Sequence, residues 1–308
     1  MKIHTGFSSL EKVKHPIVTI GTFDGVHLGH RTILSQLRKL ATEVNGETVL
    51  LTFYPHPRMV LHPDNHQIEL LNTPEEKAAL LTLANVDHLM IYPFSLDFSR
   101  LSPFEYVRDL LVTGLHAHTV VVGYDHRFGR NREGDHQTLL ELSETFGFNV
   151  EEIAVKEIDN VNVSSTKIRN ALKQGAVKEA SQYLGYNYRI SGIVVKGDRL
   201  GRTIGYPTAN ISPDYAYKLI PGNGVYAVYV HFTGRTLNGV MSIGVRPTVT
   251  DNNFTTIEVY ILDFDEDIYG EKIHVEILEY IRPELKFGSI DELQKHIASD
   301  VETAKKYF

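Results

Sequence analysis

The first half of the chain alternates short apolar runs with stretches in which apolar residues return every three or four positions. Ile17 to Ile20 reads as a buried strand. Ile33, Leu34, Leu37, Leu40 and Ala41 then lie at helical spacing, and Asn45-Gly46 closes that segment. Thr48 to Phe53 reads as the next strand, and further strand-like runs fall at His88 to Tyr92, Thr119 to Val122 and Asn149 to Ala154. Thr73-Pro74-Glu75-Glu76 is a helix start, with Thr73 as cap, Pro74 in the first turn and Glu76 completing a capping box. Ser102-Pro103-Phe104-Glu105 repeats that grammar before Tyr106 to Val112. Strands alternating with helices imply a mainly parallel sheet covered on both faces, with ligands beyond the carboxyl ends of its strands.

A second texture begins near Asn187. Arg189 to Val195, Val225 to Phe232, Gly239 to Ile243, Thr255 to Leu262 and Lys272 to Ile281 read as strands, and several alternate as half-buried strands do. Their connections carry Gly and Pro, as in Pro221-Gly222-Asn223-Gly224 and Gly244-Val245-Arg246-Pro247. Five or six such strands predict a small antiparallel barrel, with one terminal helix over Ile290 to Tyr307. The helical segment Ala176 to Leu184 closes the first domain, so the expected domains are 1–186 and 187–308.

Composition narrows the class. The 308 residues are 42% hydrophobic and 22% charged, which is ordinary for a soluble globular protein. The net charge of −7 argues against a general nucleic-acid binder. There is no cysteine, which excludes disulfide scaffolds, thiolate metal sites and cysteine nucleophiles and fits a reducing compartment. No run approaches the roughly 18 apolar residues of a membrane helix, and the start lacks a signal core. A cytoplasmic protein is expected.

Candidate chemistry gathers first at Gly21-Thr22-Phe23-Asp24-Gly25-Val26-His27-Leu28-Gly29-His30, between the first strand and the first helix. Glycines let a backbone approach a ligand, and a helix amino end favours phosphate. His27 and His30, three apart, can face one ligand and stabilise charge built up in phosphoryl or nucleotidyl transfer. The bland alternative is a Gly-rich turn with two surface histidines. They could ligate zinc, but no nearby His, Asp or Glu cluster has the usual spacing. Twelve of the fifteen histidines precede residue 140; His4, His62, His66, His88, His116, His118 and His136 read as surface residues. Three further segments stand at element ends. Val163-Ser164-Ser165-Thr166-Lys167-Ile168-Arg169 opens a helix and is either a plain N-cap or a polyphosphate grip. Gly123-Tyr124-Asp125-His126-Arg127-Phe128-Gly129 is a polar turn or a ligand loop, and Thr52-Phe53-Tyr54-Pro55-His56-Pro57 is a rigid strand end.

In the second half, the stretch from Gly192 to Asn210, with Lys196-Gly197-Asp198-Arg199-Leu200-Gly201-Arg202-Thr203-Ile204-Gly205 at its centre, is rich in glycine and cations. Its spacing is one short for a Walker A loop, and Arg202 stands in place of the lysine, but such a loop can still wrap phosphates. Thr208 and Asn210, two apart, point the same way in an extended segment and suit Mg²⁺. Glu258 interrupts an apolar strand, either as a solvent-facing residue or as a general base beside a reacting hydroxyl.

Taken in order, Gly21–His30, Thr52–Pro57, Gly123–Gly129 and Ser164–Arg169 resemble the adenylyltransferase half of bacterial bifunctional FAD synthetases. Gly205-Tyr206-Pro207-Thr208-Ala209-Asn210, Gly224-Val225-Tyr226-Ala227, Ile257-Glu258 with Leu262-Asp263-Phe264, and Asp267-Ile268-Tyr269-Gly270 resemble the riboflavin kinase half. Two positions depart from the family pattern: His126, commonly Phe, and Tyr124, often acidic. The resemblance implies a Rossmann-like nucleotidyltransferase domain followed by a six-stranded antiparallel barrel. It implies ATP-dependent phosphorylation of riboflavin to FMN, then adenylylation of FMN to FAD with release of pyrophosphate, with Mg²⁺ as cofactor. Gly21, Phe23, Asp24, His27, Gly29, His30, Ser164, Thr166 and Arg169 would bind ATP at the first site, with Asp125, Arg127 and Phe128 in a loop touching FMN or ATP. Lys196, Gly197, Gly201, Arg202, Gly205 and Thr208 would form the kinase phosphate loop. Thr208 and Asn210 would hold the metal and Glu258 would take the riboflavin 5′-hydroxyl proton. A nucleotidyltransferase for another acceptor with a sensing barrel, and a non-catalytic flavin- or RNA-binding protein, are the competing readings.

Overall fold

The strand runs of the first half are apolar on both sides because both faces of the sheet they build are covered. In the computed structural model, which describes residues 1–10, 12–62, 68–153, 163–197, 200–246 and 254–308, these runs become β1 (Lys2–His4), β2 (Ile17–Ile20), β3 (Thr48–Tyr54), β4 (His88–Pro93), β5 (Thr119–Gly123) and β6 (Asn149–Ile153). All neighbours pair in parallel, in the order β1-β4-β3-β2-β5-β6. Ala154, at the end of the expected sixth run, lies outside the described residues.

Alternate strand residues feed two cores. Ile17, Leu50, Leu89 and Val121 pack with Leu34, Leu37 and Ala41 of α1 (Leu28–Glu43). Val18, Val49, Met90, Val120 and Val122 pack on the opposite face with Tyr106, Val107, Leu110 and Leu111. α2 (Pro57–Leu61) follows β3, and α3 (Pro74–Leu83) opens with the expected Thr73–Glu76 capping box. α4 (Leu96–Ser99) is one turn, and α5 (Pro103–Glu105) is capped by Ser102 and widens into a π-helical stretch over Tyr106–Gly114. α6 (His136–Phe146) connects β5 to β6.

Sequence order reverses at β2, whose neighbours are β3 on one side and β5 on the other. The loops leaving the carboxyl ends of β2 and β5 therefore lie at the switch point of the sheet, the usual ligand position in such folds.

The second unit holds β7 (Arg189–Val195), β8 (Thr208–Pro213), β9 (Gly224–Phe232), β10 (Arg235–Arg246), β11 (Phe254–Ile261) and β12 (Lys272–Arg282). They close into an antiparallel barrel in the order β10-β11-β8-β7-β12-β9. Thr233 and Gly234, with φ of 47° and 77°, make the two-residue hairpin between β9 and β10. Val225, Ala227 and Val240 face outward onto α10 (Ile290–Ala304), which Asp300 pins through two hydrogen bonds from Arg282, at 2.8 and 2.7 Å. Pro247, in an expected turn, lies outside the described residues.

The chain divides into two compact units, Met1–Ser164 and Ser165–Phe308. α7 (Ser165–Lys173) and α8 (Val177–Leu184) fall in the second because they pack on the barrel: Gly222 N–H donates to Leu172, and Lys178 pairs with Glu279 of β12 at 3.7 Å.

Two histidines expected at the surface are buried instead. His4 of β1 and His88 of β4 lie side by side, 7% and 3% exposed, with ring nitrogens 2.9 Å apart. His4 also meets Ser9, and His88 meets Glu47. The edge strand covers them, and the hydrogen bonds replace water. His66 lies outside the described residues.

Candidate active sites

The Gly21–His30 segment leaves β2 and enters α1 through a tight turn. Phe23, Gly25 and Val26 all have positive φ, of 44°, 90° and 38°. His27 caps α1: its Nδ1 accepts the N–H of His30 at 3.3 Å. The His27 and His30 rings stack with centroids 3.6 Å apart, and Phe23 lies 4.7 Å from His30. Gly29 makes this stack possible, since a Cβ there would press on the His27 ring at 3.3 Å and on Val163 at 3.4 Å. That contact also places Val163, the residue before Ser164, against the start of α1. Gly21 similarly sits beneath the Phe23 ring.

The electrostatics suit an anion. His30 Nδ1 is enclosed and has no hydrogen-bond partner among the described residues. Burial, then His27, then the Lys77 ammonium hold the His30 pKa well below its ordinary value, so the ring is neutral. Beside it, the amino end of α1 presents the backbone N–H groups of Leu28 and Gly29.

Asp24 turns inward. Its carboxylate, 2% exposed, accepts from the N–H groups of Leu71 and Asn72. Ser164 directly precedes α7, whose first two turns carry Thr166, exposed, and Arg169, partly exposed.

The loop after β5 divides its residues between core and solvent. Phe128 is 4% exposed and rests on Tyr106, 5.2 Å between centroids. Asp125 and Arg127 are exposed, and Arg127 pairs with Asp135 at 3.0 Å. His126 stacks on Phe128 at 5.9 Å and 24°, filling an aromatic position, and burial lowers its pKa to about 4.

On the barrel, Thr208 and Asn210 of β8 lie opposite Tyr260 and Glu258 of β11. All four share one face, and the Thr208 hydroxyl donates to the Glu258 carboxylate at 3.0 Å. The glycine-rich loop comes down on this group. A Cβ on Gly197 would strike the Asn210 amide at 2.3 Å, and one on Gly201 would strike the Tyr206 carbonyl. α9 (Leu200–Thr203) is a single turn, ended by Gly205 at φ 81°. Lys196 and Arg202 are exposed at the two ends of the loop; Asp198 and Arg199 lie outside the described residues. Beside Thr208 and Arg202 opens a cavity of about 240 Å³, also lined by Phe264, Asp267, Ile268 and Tyr269. A hydroxyl, an amide and a carboxylate converging on one face are hard oxygen donors, the set that fits Mg²⁺.

Residues 10–167 match the FAD synthetase family model and residues 184–308 the riboflavin kinase model. The chain belongs to the bifunctional riboflavin kinase/FMN adenylyltransferase family. It is 39% identical to the family member of Listeria monocytogenes, over 95% of this chain and 92% of that one. It is 40% identical to that of Haemophilus influenzae, over 94% of both chains, and 37% identical to that of Escherichia coli K12, over 100% and 98%. A solved Streptococcus pneumoniae structure, described as a macrolide-efflux protein, shares the fold with a TM-score of 0.88 and 30% identity, covering 100% of this chain and 99% of that one. No helix among the described residues is long and apolar enough to cross a membrane.

Sequence reasoning missed Lys77 of α3, whose ammonium donates to the Thr22 carbonyl at 2.6 Å. It also left unassigned the cavity-lining side chains of Phe264, Asp267, Ile268 and Tyr269, although those segments carried the resemblance.

Proposed function

We propose that the chain makes FAD from riboflavin at two sites. The half spanning 187–308 phosphorylates riboflavin with ATP to FMN, and the half spanning 1–186 adenylylates FMN with ATP. One observation carries this reading: a chain matching bifunctional relatives over its whole length builds both an imidazole pair at a helix tip and a Thr–Asn–Glu cluster on a barrel.

In the kinase half, the riboflavin 5′-hydroxyl oxygen attacks the γ-phosphorus of ATP and ADP leaves. Glu258 takes the hydroxyl proton; the bond it accepts from the Thr208 hydroxyl at 3.0 Å supports this role. Lys196, Gly197, Gly201, Arg202 and Gly205 close over the phosphates with cations and backbone N–H groups. Thr208 and Asn210 would hold Mg²⁺, which when bound offsets phosphate charge. The adjoining cavity supports room for the rest of the nucleotide.

In the adenylyltransferase half, an FMN phosphate oxygen attacks the α-phosphorus of ATP and pyrophosphate leaves. His27 and His30 donate to the phosphate oxygens together with the first turn of α1. Gly21, Phe23 and Gly29 shape that surface, and Asp24 braces it. Ser164 meets the ATP tail, while Asp125, Arg127 and Phe128 form the flavin- or ATP-side loop. Neither step needs a covalent protein intermediate; positioning and fixed charge supply the rate. The reading places the enzyme in the cytoplasm, working on small molecules, and its freedom from cysteine suits that compartment.

Incubation of the full chain with riboflavin, ATP and Mg²⁺, followed by chromatography, tests this. FMN should rise first, then FAD with pyrophosphate. FAD formed only from added FMN, never from riboflavin, would reduce the enzyme to its first activity.

A further inference from the structure

The turn that presents the histidine pair is strained, and something outside it must hold it. Phe23 and Val26 have φ of 44° and 38°, a left-handed backbone that an aromatic or β-branched residue adopts only when its surroundings impose it. The restraints come from α3, the segment before it and β3. Asp24 accepts from Leu71 N–H at 2.9 and 3.2 Å and from Asn72 N–H at 3.3 Å. Lys77 Nζ donates to the Thr22 carbonyl at 2.6 Å, and Thr52 Oγ1 donates to the same oxygen at 3.3 Å. The Thr73–Glu76 capping box fixes the start of α3, so Lys77 reaches the loop from a rigid helix.

We propose that Lys77 is a positioning residue for FAD formation: it holds the Thr22 carbonyl, and with it the Phe23–Val26 turn, so that the His27 and His30 rings stay stacked at the tip of α1. It touches no reacting atom in this role. The titratable groups that act on one another here are Asp24, His27, His30 and Lys77. Burial pulls the Lys77 pKa below its ordinary value and the Asp24 carboxylate opposes this. The same ammonium helps to keep His30 neutral. A lysine on a helix would ordinarily point into water; this one is turned into the loop.

The inference rests on the function proposed above and deepens it. Lys77→Met keeps the aliphatic stem and removes charge and donor. In the full chain it should lower kcat for FAD formation from FMN and ATP about 100-fold, the scale of a misplaced reacting group, with a much smaller change in KM for ATP. Riboflavin phosphorylation by the same preparation should stay within about twofold. The His30 imidazole, followed by NMR across the acid range, should titrate at higher pH than in the parent. Lys77→Arg, which restores a cationic donor, should recover most of the lost rate.

A parent chain that forms no FAD would refute the proposed function, and the His30 titration would then decide the Lys77 role alone. A parental rate in Lys77→Met, or an unmoved His30 titration, would overturn the positioning role. If Lys77→Met unfolds the first unit, Lys77→Arg decides: activity with a parental His30 titration supports the role, and activity lost from a folded protein overturns it.

Discussion

Acid should weaken the first unit, and His126 is one of the side chains through which it acts. Its ring stacks on Phe128 at 5.9 Å, and burial lowers its pKa from 6.5 to about 4, with Arg132 pushing the same way and Asp125 opposing. The folded state therefore prefers the neutral ring. Between pH 6.5 and about 4 the unfolded chain binds the extra proton and the folded chain does not, so stability rises with pH through that window. Above it the contribution is complete; as pH falls toward about 4 it is progressively lost. The whole gap corresponds to about 3 kcal/mol, of which about 2 kcal/mol is gone by roughly pH 5.

His126→Phe removes the titration and keeps a ring against Phe128. With no tryptophan in the chain, urea unfolding is best followed by far-UV circular dichroism, at about pH 7 and about pH 5 for both proteins. The parent should lose about 2 kcal/mol more than the variant on acidification, because every other group titrates in both. Equal losses in the two proteins would mean that His126 takes up its proton in the fold, and would refute the burial argument.

Substitutions at the two sites should separate the two products. His30→Ala should abolish FAD formation from FMN and leave FMN formation from riboflavin intact; Glu258→Ala should stop riboflavin phosphorylation and leave FAD formation from added FMN intact. Product chromatography reads both, and parallel loss of both products in either variant would reject the division of labour. Asp300→Ala leaves the Arg282 guanidinium, whose side chain is 18% exposed, without its bidentate partner, and should destabilise the barrel by about 3–5 kcal/mol. Calorimetry should show a lower barrel Tm, and an unchanged one would show that Arg282 finds water instead.

Periodicity carries the elements and fails for partners that lie far away in sequence. β7 has the bounds its apolar pattern predicts, and the capping boxes of α3 and α5 form as their residues dictate. β1 is different: three residues with one apolar side chain between Lys2 and His4 become a strand only because β4 offers its edge. β8 hides behind Thr208, Asn210 and Pro213, polar or strand-breaking residues that the closed barrel nonetheless enlists through β7 and β11. The His27–His30 spacing was readable because both residues sit on one helix end. Lys77 was not, because its partner is a carbonyl 55 positions earlier and a helix pattern gives a face, not what covers it.

The two sites differ in chemistry because their nucleophiles differ. FMN brings a phosphate that is already largely ionised at neutral pH, so its oxygen can attack without losing a proton to the protein. Riboflavin brings a neutral alcohol whose proton must leave as the new bond forms. A base is therefore needed in the barrel and not beside the sheet. The carboxylates are disposed accordingly: Glu258 meets a hydroxyl at 3.0 Å on the face it shares with Thr208 and Asn210, whereas Asp24 is committed to the N–H groups of Leu71 and Asn72. Where phosphate meets phosphate the requirement is to reduce repulsion, and under the proposed function the first site would answer it with a helix tip and the His27–His30 pair rather than with a carboxylate. Under the proposed function a carboxylate freed at this turn would add negative charge where two anions must approach, and the bonds from Leu71 and Asn72 hold the Asp24 carboxylate within the fold.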